Sequence, residues 1–102
     1  MTTHIEFQWD ENKNTINRKK HGISFEEARS CFYDEDGLLL SDPDHSETED
    51  RFVLLGLSSS ARVLVVCHCY REVSGQTETI RIISARKTDK YESRQYHNRR
   101  HK

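Results

Sequence analysis

An α+β domain, with its helices packed on one face of a curved antiparallel sheet, is the fold class that the sequence predicts. Three observations predict it. Two helix signals, at about 11–20 and 25–33, precede the most apolar part of the chain. Three runs rich in Val, Ile and Leu, at 51–58, 62–71 and 78–86, follow with short links, as in an antiparallel meander. A last helix signal, at about 89–98, comes after them, so two helices before the sheet and one after it share a single core. The length of 102 residues suits one domain, 1–102, closing on a basic tail from about 97 to 102.

Each element has a local reason. Ile5, Phe7 and Trp9 alternate, which predicts a short strand at 4–9. Asp10 is an N-cap residue for the first helix and Gly22 its C-terminal stop. Ser24 with Glu27 forms a capping box, with Ile23 and Ala28 as hydrophobic staple; Phe25, Ala28 and Phe32 then share one helical face. Residues 37–42 predict a strand that Pro43 ends, because proline has no N–H for the ladder. Thr88 is the expected cap of the last helix.

Composition narrows the class. The chain is lean, with 33% apolar and 32% charged residues and a mean hydropathy of −0.91. No apolar run reaches the roughly 18–20 residues of a membrane span, and the start M-T-T-H-I-E-F has no signal-peptide core. Cys31, Cys67 and Cys69 make an odd set without framework spacing, so a cytoplasmic location is expected. The net charge of −1 hides an asymmetry: residues 34–50 hold eight acids and no Lys or Arg, whereas 81–102 hold eight bases and two acids. Basic blocks of this kind, with Lys13, Arg18, Lys19 and Lys20 added, suit a polyanionic ligand.

Strand parity sorts side chains into faces. A two-residue hairpin at Ser59-Ser60 sets Arg51 opposite His68, and a matching turn near Gly75 sets His68 opposite Arg81. The first face (Phe52, Leu54, Gly56, Val63, Val65, Cys67, Cys69, Ile80, Ile82) is then apolar and should carry the helices. The second holds an apolar stripe of Val53, Leu55, Leu64, Val66 and Ile83, crossed by one polar row, Arg51–His68–Arg81. Two guanidiniums flanking an imidazole form a phosphate clamp, because Arg presents a planar fork of donors and keeps its charge. The alternative is that both arginines are strand-end partners of the acidic 42–50 segment and His68 a satisfied sheet residue.

The chemistry open to such a set is RNA cleavage without a metal. The 2′-hydroxyl attacks the adjacent phosphate, a base removes its proton, an acid protonates the departing 5′ oxygen, and cations hold the charge on the non-bridging oxygens. His68 has the ordinary pKa for proton transfer. His21, in Lys20-His21-Gly22, is a second candidate, unless it serves only as a cation at the helix C-terminus. His45, in an acidic loop, reads as a loop residue. A zinc reading of Cys67-His68-Cys69 fails on parity, since a strand points the two thiols one way and the imidazole the other, so buried free cysteines are expected and no metal.

Several motifs taken together resemble a known family. Phe7-Gln8-Trp9-Asp10-Glu11-Asn12-Lys13 opens it; Lys20-His21-Gly22-Ile23-Ser24-Phe25-Glu26-Glu27-Ala28 is its most recognisable stretch; Asp42-Pro43-Asp44-His45-Ser46, Arg51-Phe52, Leu55-Gly56-Leu57-Ser58 and Arg81-Ile82-Ile83-Ser84-Ala85-Arg86-Lys87 follow. From Phe7 to about Tyr96 the chain resembles the BrnT-type toxins of bacterial type II toxin–antitoxin modules. It departs from their pattern at Asp50, where a Glu precedes the Arg, and in a longer hairpin from Tyr70 to Thr79.

The resemblance implies a RelE-like ribonuclease fold and a metal-independent endoribonuclease, without cofactor, that cleaves RNA and inhibits translation. It also implies a BrnA-type ribbon-helix-helix antitoxin as partner, with operator DNA reached only through that antitoxin and no membrane. The candidate catalytic residues are His68, Arg81, Arg51, His21 and Lys20; Arg86, Lys87, Lys90 and Lys19 are the candidate RNA-binding residues. The competing class is a non-catalytic module that binds antitoxin or RNA and acts only in operon autoregulation.

Overall fold

The computed structural model describes residues 4–42, 50–75 and 77–100, with the side chains of 71–74 and 100 outside the description. Pro43 and His45 also lie outside the described residues. In chain order the elements are β1 (His4–Gln8), α1 (Glu11–His21), α2 (Phe25–Ser30), a 3-10 turn (Cys31–Tyr33), β2 (Leu38–Ser41), β3 (Arg51–Leu57), β4 (Val63–Ser74), β5 (Thr77–Lys87) and α3 (Lys90–Arg100).

Local signals fix the helix ends. Asp10 Oδ1 accepts from the N–H of Asn12 at 2.8 Å and of Lys13 at 3.3 Å, closing the start of α1. Gly22, at φ 72°, donates its N–H to the Arg18 carbonyl and ends that helix in the left-handed conformation. Ser24 Oγ accepts from the Glu27 N–H at 3.0 Å. The expected return bond of that capping box is replaced, because the Glu27 carboxylate turns to Ser58 and Arg62. At α3 the cap is Asp89 and not Thr88. Asp89 Oδ1 accepts from the Glu92 N–H, and Glu92 Oε1 accepts from the Asp89 N–H.

The most polar helix is docked by hydrogen bonds. The buried residues of α1 are Asn14 and Asn17. Asn17 Nδ2 donates to the carbonyls of Ile23 (2.9 Å) and Ala85 (2.8 Å), and its Oδ1 accepts from the Ala85 N–H. Ala85 lies past the last β1–β5 pair, Gln8–Arg81, so the asparagine amide continues the ladder where β1 stops. Asn14 Oδ1 accepts from the Phe25 N–H and its Nδ2 donates to Glu11 and Glu26, which sets the α1–α2 corner.

The five strands form one mixed sheet in the order β1-β5-β4-β3-β2. Only β1 departs from the antiparallel expectation, running parallel to β5 along the far edge. The β3–β4 link is one residue longer than expected. Ser58 donates to the Arg62 carbonyl and Ala61 donates to the Ser58 carbonyl, with Ala61 at φ 61°. This three-residue turn sets Arg51 opposite Cys69 and Phe52 opposite His68. On the other side Cys69 pairs with Arg81 and His68 with Ile82, and a bulge between Cys67 and His68 leaves Ile83 as the extra residue.

The slip exchanges the β4 side chains between faces. Leu64, Val66 and His68 are fully buried under the α1–α2 layer, where Leu64 and Val66 pack with Ile23, Phe25, Ala28, Cys31, Leu54, Ile82 and Ala85. The exposed stripe expected at Leu64 and Val66 is therefore core. The opposite face carries Leu55 and Val65, with Val53 and Val63 partly buried around them, and Tyr96 of α3 covers them. So α3 lies on the other face from α1 and α2, against the expectation of one helical layer. The physical reason is that the first face is already filled, and Leu55 and Val65 would otherwise face water. The Tyr96 hydroxyl donates to Asp34 Oδ2 at 2.6 Å, and the same oxygen accepts from the Leu57 N–H, so α3 is latched at the end of β3. At Gly56 an added Cβ would stand 2.9 Å from the Cys31 Cβ and carbonyl oxygen, so glycine is what lets the 3-10 turn lie on β3.

Replacing Asn17 by Leu leaves three buried backbone groups without their partner. An expected loss of about 3 kcal/mol follows, read as a lower denaturant midpoint at unchanged slope. A loss below about 1 kcal/mol would show that the amide does not dock α1.

Candidate functional site

The face beneath α3 gathers the arginines. Arg51 begins β3 and Arg81 lies in β5, and Cys69 of β4 separates them in register. Two strand spacings put their Cα atoms roughly 10 Å apart. Beside Arg51 lies a cleft of about 270 Å³ whose lining includes Asp42, Arg51, Val53, Cys67, Ser84 and Arg86, while Arg81 stands on the same face outside it. The bulge at Ile83 builds one wall, since Ile83 and Ser84 both line the cleft despite being neighbours in one strand.

Arg81 and Arg86 are held differently. Arg81 Nη1 lies 3.5 Å from Gln8 Oε1 of the parallel β1, a long contact that leaves the fork adaptable. Arg86 makes two parallel bonds of 2.8 Å to the Glu92 carboxylate, and its Nη1 also donates to the Lys87 carbonyl. Those bonds raise the Arg86 pKa further and hold the Glu92 carboxyl below its ordinary range. Glu92 thereby fixes Arg86 and the start of α3 with one side chain. The D-x-x-E spacing of Asp89 and Glu92 was the sequence signal for it. Asp42, Cys67 and Ser84 entered the cleft unannounced, because they follow from the register and the bulge.

His68 does not belong to this row. It faces the α1–α2 layer with no solvent exposure, its ring 4.8 Å from that of Phe32 and near Phe52 and Tyr70. One ring nitrogen, Nδ1, lies 3.1 Å from the Val66 carbonyl, while Nε2 is buried without a hydrogen-bond partner among the described residues. Burial lowers its pKa below the ordinary value, so the ring stays neutral. The three-residue hairpin is the cause, since it pairs Phe52, and not Arg51, with His68.

The remaining candidates stand on other elements. Lys19, Lys20 and His21 form the last turn of α1, with His21 half-buried and both lysines exposed. Asn17 ties that helix to β5 at Ala85, about 13 Å along the strand from Arg81. Lys87 and Lys90 are exposed at the β5–α3 junction, past Arg86. Cys67 and Cys69 share the α3 side while His68 takes the other, as parity requires. Burial raises the Cys67 pKa, and it pushes the Cys31 thiol up to about 12, so both are protonated, inert thiols. Among the described residues, no group of three His, Cys, Asp or Glu side chains is placed to hold a metal, and no helix is long and apolar enough to cross a membrane.

Residues 9–92 match the family described as "Ribonuclease toxin, BrnT, of type II toxin-antitoxin system". The chain belongs to the BrnT family. Its fold is similar to the 1.1 Å crystal structure of the Brucella abortus ribonuclease toxin BrnT, with a TM-score of 0.55 and 20% identity over 86% of this chain and 100% of that one. A comparison with curated proteins gave no match. The segment that matches the BrnT family includes Arg51, Arg81, Arg86 and Glu92.

His68→Phe tests the buried assignment through linkage. A buried histidine with a lowered pKa binds fewer protons than the unfolded chain, so stability falls as pH drops below the ordinary value of 6.5. The wild-type chain should lose stability between about pH 7 and 5, and His68→Phe should lose less, measured by thermal unfolding across that range. An equal loss in both would show that His68 is not held neutral.

Proposed function

We propose that this BrnT-family chain is a metal-independent endoribonuclease of the RelE-like kind, and that RNA cleavage by it inhibits translation. The observation that carries the reading is the pair Arg51 and Arg81, two strands apart on one face, with Arg86 lining the cleft beside Arg51. The family description as ribonuclease toxin supports it.

In this reaction a base takes the 2′-hydroxyl proton as the 2′-oxygen bonds to phosphorus, and the bond to the 5′-oxygen breaks as an acid protonates it, leaving a 2′,3′-cyclic phosphate and a 5′-hydroxyl. Negative charge grows on the non-bridging oxygens at the crowded phosphorus. Planar guanidiniums with permanent charge stabilise that state more than the substrate, because their donors meet oxygens whose charge has increased. Arg51 and Arg81 take this role. Arg86, Lys87 and Lys90 continue the cationic line toward α3 and hold backbone phosphates. Of the two histidines assigned to proton transfer, His21 is the one with access to solvent, and with Lys20 and Lys19 it extends the basic surface on α1.

The partner in this reading is a BrnA-type ribbon-helix-helix antitoxin that covers the arginine face, and operator DNA is contacted only through it. Occlusion of a cationic face by an acidic segment makes association faster at low salt. Raising the salt concentration should slow toxin–antitoxin association several-fold while dissociation stays slow, as followed by stopped-flow fluorescence. A salt-independent association rate would contradict a charge-steered partner.

Arg81→Ala and Arg51→Ala, each assayed on RNA in EDTA, should lower the cleavage rate by about 10²–10⁴-fold with circular dichroism unchanged. The products should carry cyclic phosphate ends. Absence of cleavage by the wild-type chain, with RNA or antitoxin binding intact, would favour the purely regulatory module.

A further inference from the structure

A second cleft, nearly twice the size of the first, lies beyond Arg86. It encloses about 510 Å³ between the β3–β4 hairpin and α3. Its lining includes the apolar Leu57 and Val63 and the charged Lys87 from the sheet, and Ser93 and His97 from α3. Such a volume lies within the range of small-ligand sites, and an apolar floor ringed by a few polar groups suits a flat heterocycle.

We propose that this cleft is an RNA subsite that receives the base and phosphate of a nucleotide flanking the scissile bond. The inference rests on the ribonuclease reading above and deepens it.

Two observations support it. The cleft lies near the arginine face, since Lys87, which ends β5 and lines the cleft, is about 20 Å along the strand from Arg81. The His97 ring is exposed and packs edge-on against the Tyr96 ring at 5.5 Å, and Tyr96 is itself anchored by Leu55, Val65 and Asp34. A solvent-facing imidazole with a fixed neighbour is a platform on which an unstacked base can lie. Arg62 is preset: its Nε and Nη2 bind Glu27 at 2.8 and 2.7 Å, and Nη2 also donates to the Gly22 carbonyl. Those bonds turn the Arg62 guanidinium toward α1 and α2, on the other face of the sheet, so the phosphate contact in the cleft falls to Lys87. Lys87 supplies a compact point charge for the phosphate.

The test is equilibrium binding of a short 2′-O-methyl RNA, which cannot be cleaved by 2′-oxygen attack, followed by fluorescence anisotropy over a salt series. His97→Ala should weaken binding about tenfold through lost stacking. Lys87→Ala should weaken it and make the slope of log affinity against log salt shallower by about 0.7. Arg29→Ala, at an exposed position on α2, should leave both unchanged. Mapping of cleavage sites on unmodified RNA should show His97→Ala with an altered preference beside the cut. Unchanged affinity and an unchanged cleavage pattern for His97→Ala would overturn the subsite, even where the wild-type chain cleaves RNA. An equal loss for Arg29→Ala would also overturn it, as it would show diffuse charge attraction. If the wild-type chain binds the RNA through His97 and Lys87 without cleaving unmodified RNA, the ribonuclease reading fails and the nucleotide site stands.

Discussion

The Glu27 carboxylate determines which side chains meet on the sheet. It accepts from Ser58 Oγ at 2.6 Å and takes two charged hydrogen bonds from Arg62, on either side of the β3–β4 turn. Three residues on from Glu27, Ser30 Oγ accepts from the Ser59 N–H at 2.8 Å. So α2 grips both arms of the turn and holds it open by one residue, with Ala61 in a left-handed conformation that an alanine adopts only at some cost. The Glu27 pKa is lowered by these bonds, chiefly by Arg62, so the grip is in force wherever the carboxyl is ionised. A strand has a side-chain period of two, and one residue more or less in that turn would put the other set of β4 side chains beneath the helices.

From that register the functional face follows. With Arg51 opposite Cys69 and Cys69 opposite Arg81, the arginines stand on the face that α3 only partly covers. Leu64, Val66 and His68 go into the core instead. The Ile83 bulge then restores an apolar residue at Ala85 to the helical layer while Arg86 stays on the arginine side. Two features of opposite character are thus joined by one strand: a buried amide bridge from Asn17 at Ala85, and a charged fork at Arg86 tied to Glu92. Stability and the proposed chemistry occupy alternate positions of β5.

Much of this could be read in the sequence, and the failures share a cause. Asp10, Gly22 and Ser24 mark helix ends through bonds to near neighbours, so their positions were readable from the chain alone. The strands were readable for the same reason, as runs of Val, Ile and Leu. The register was not, because Ser59-Ser60 suits a two-residue turn and nothing local announces an alanine at positive φ. The parallel pairing of β1 with β5 joins residues more than seventy positions apart, and no pattern in His4–Gln8 names that partner. Asn14 and Asn17 look like solvated residues of a polar helix until Phe25 and Ala85 are placed against them. The side on which α3 docks depends on the single buried ring of Tyr96, too little for a periodic signal. Of the candidate site, the two arginines on one face came through the misread register because both moved together relative to β4; His68, between them, did not.

The central claim is that one face, bearing Arg51, Arg81 and Arg86, meets RNA, while His68 lies sealed behind it. Nitrogen-15 NMR of the arginine Nε–Hε groups and histidine rings, during titration with a 2′-O-methyl RNA, observes both parts at once. The account predicts shifts at Arg51, Arg81 and Arg86 and a His68 ring signal that stays in place. Shifts confined to the end of α1, at Arg18 and His21, with Arg51 and Arg81 unmoved, would contradict it.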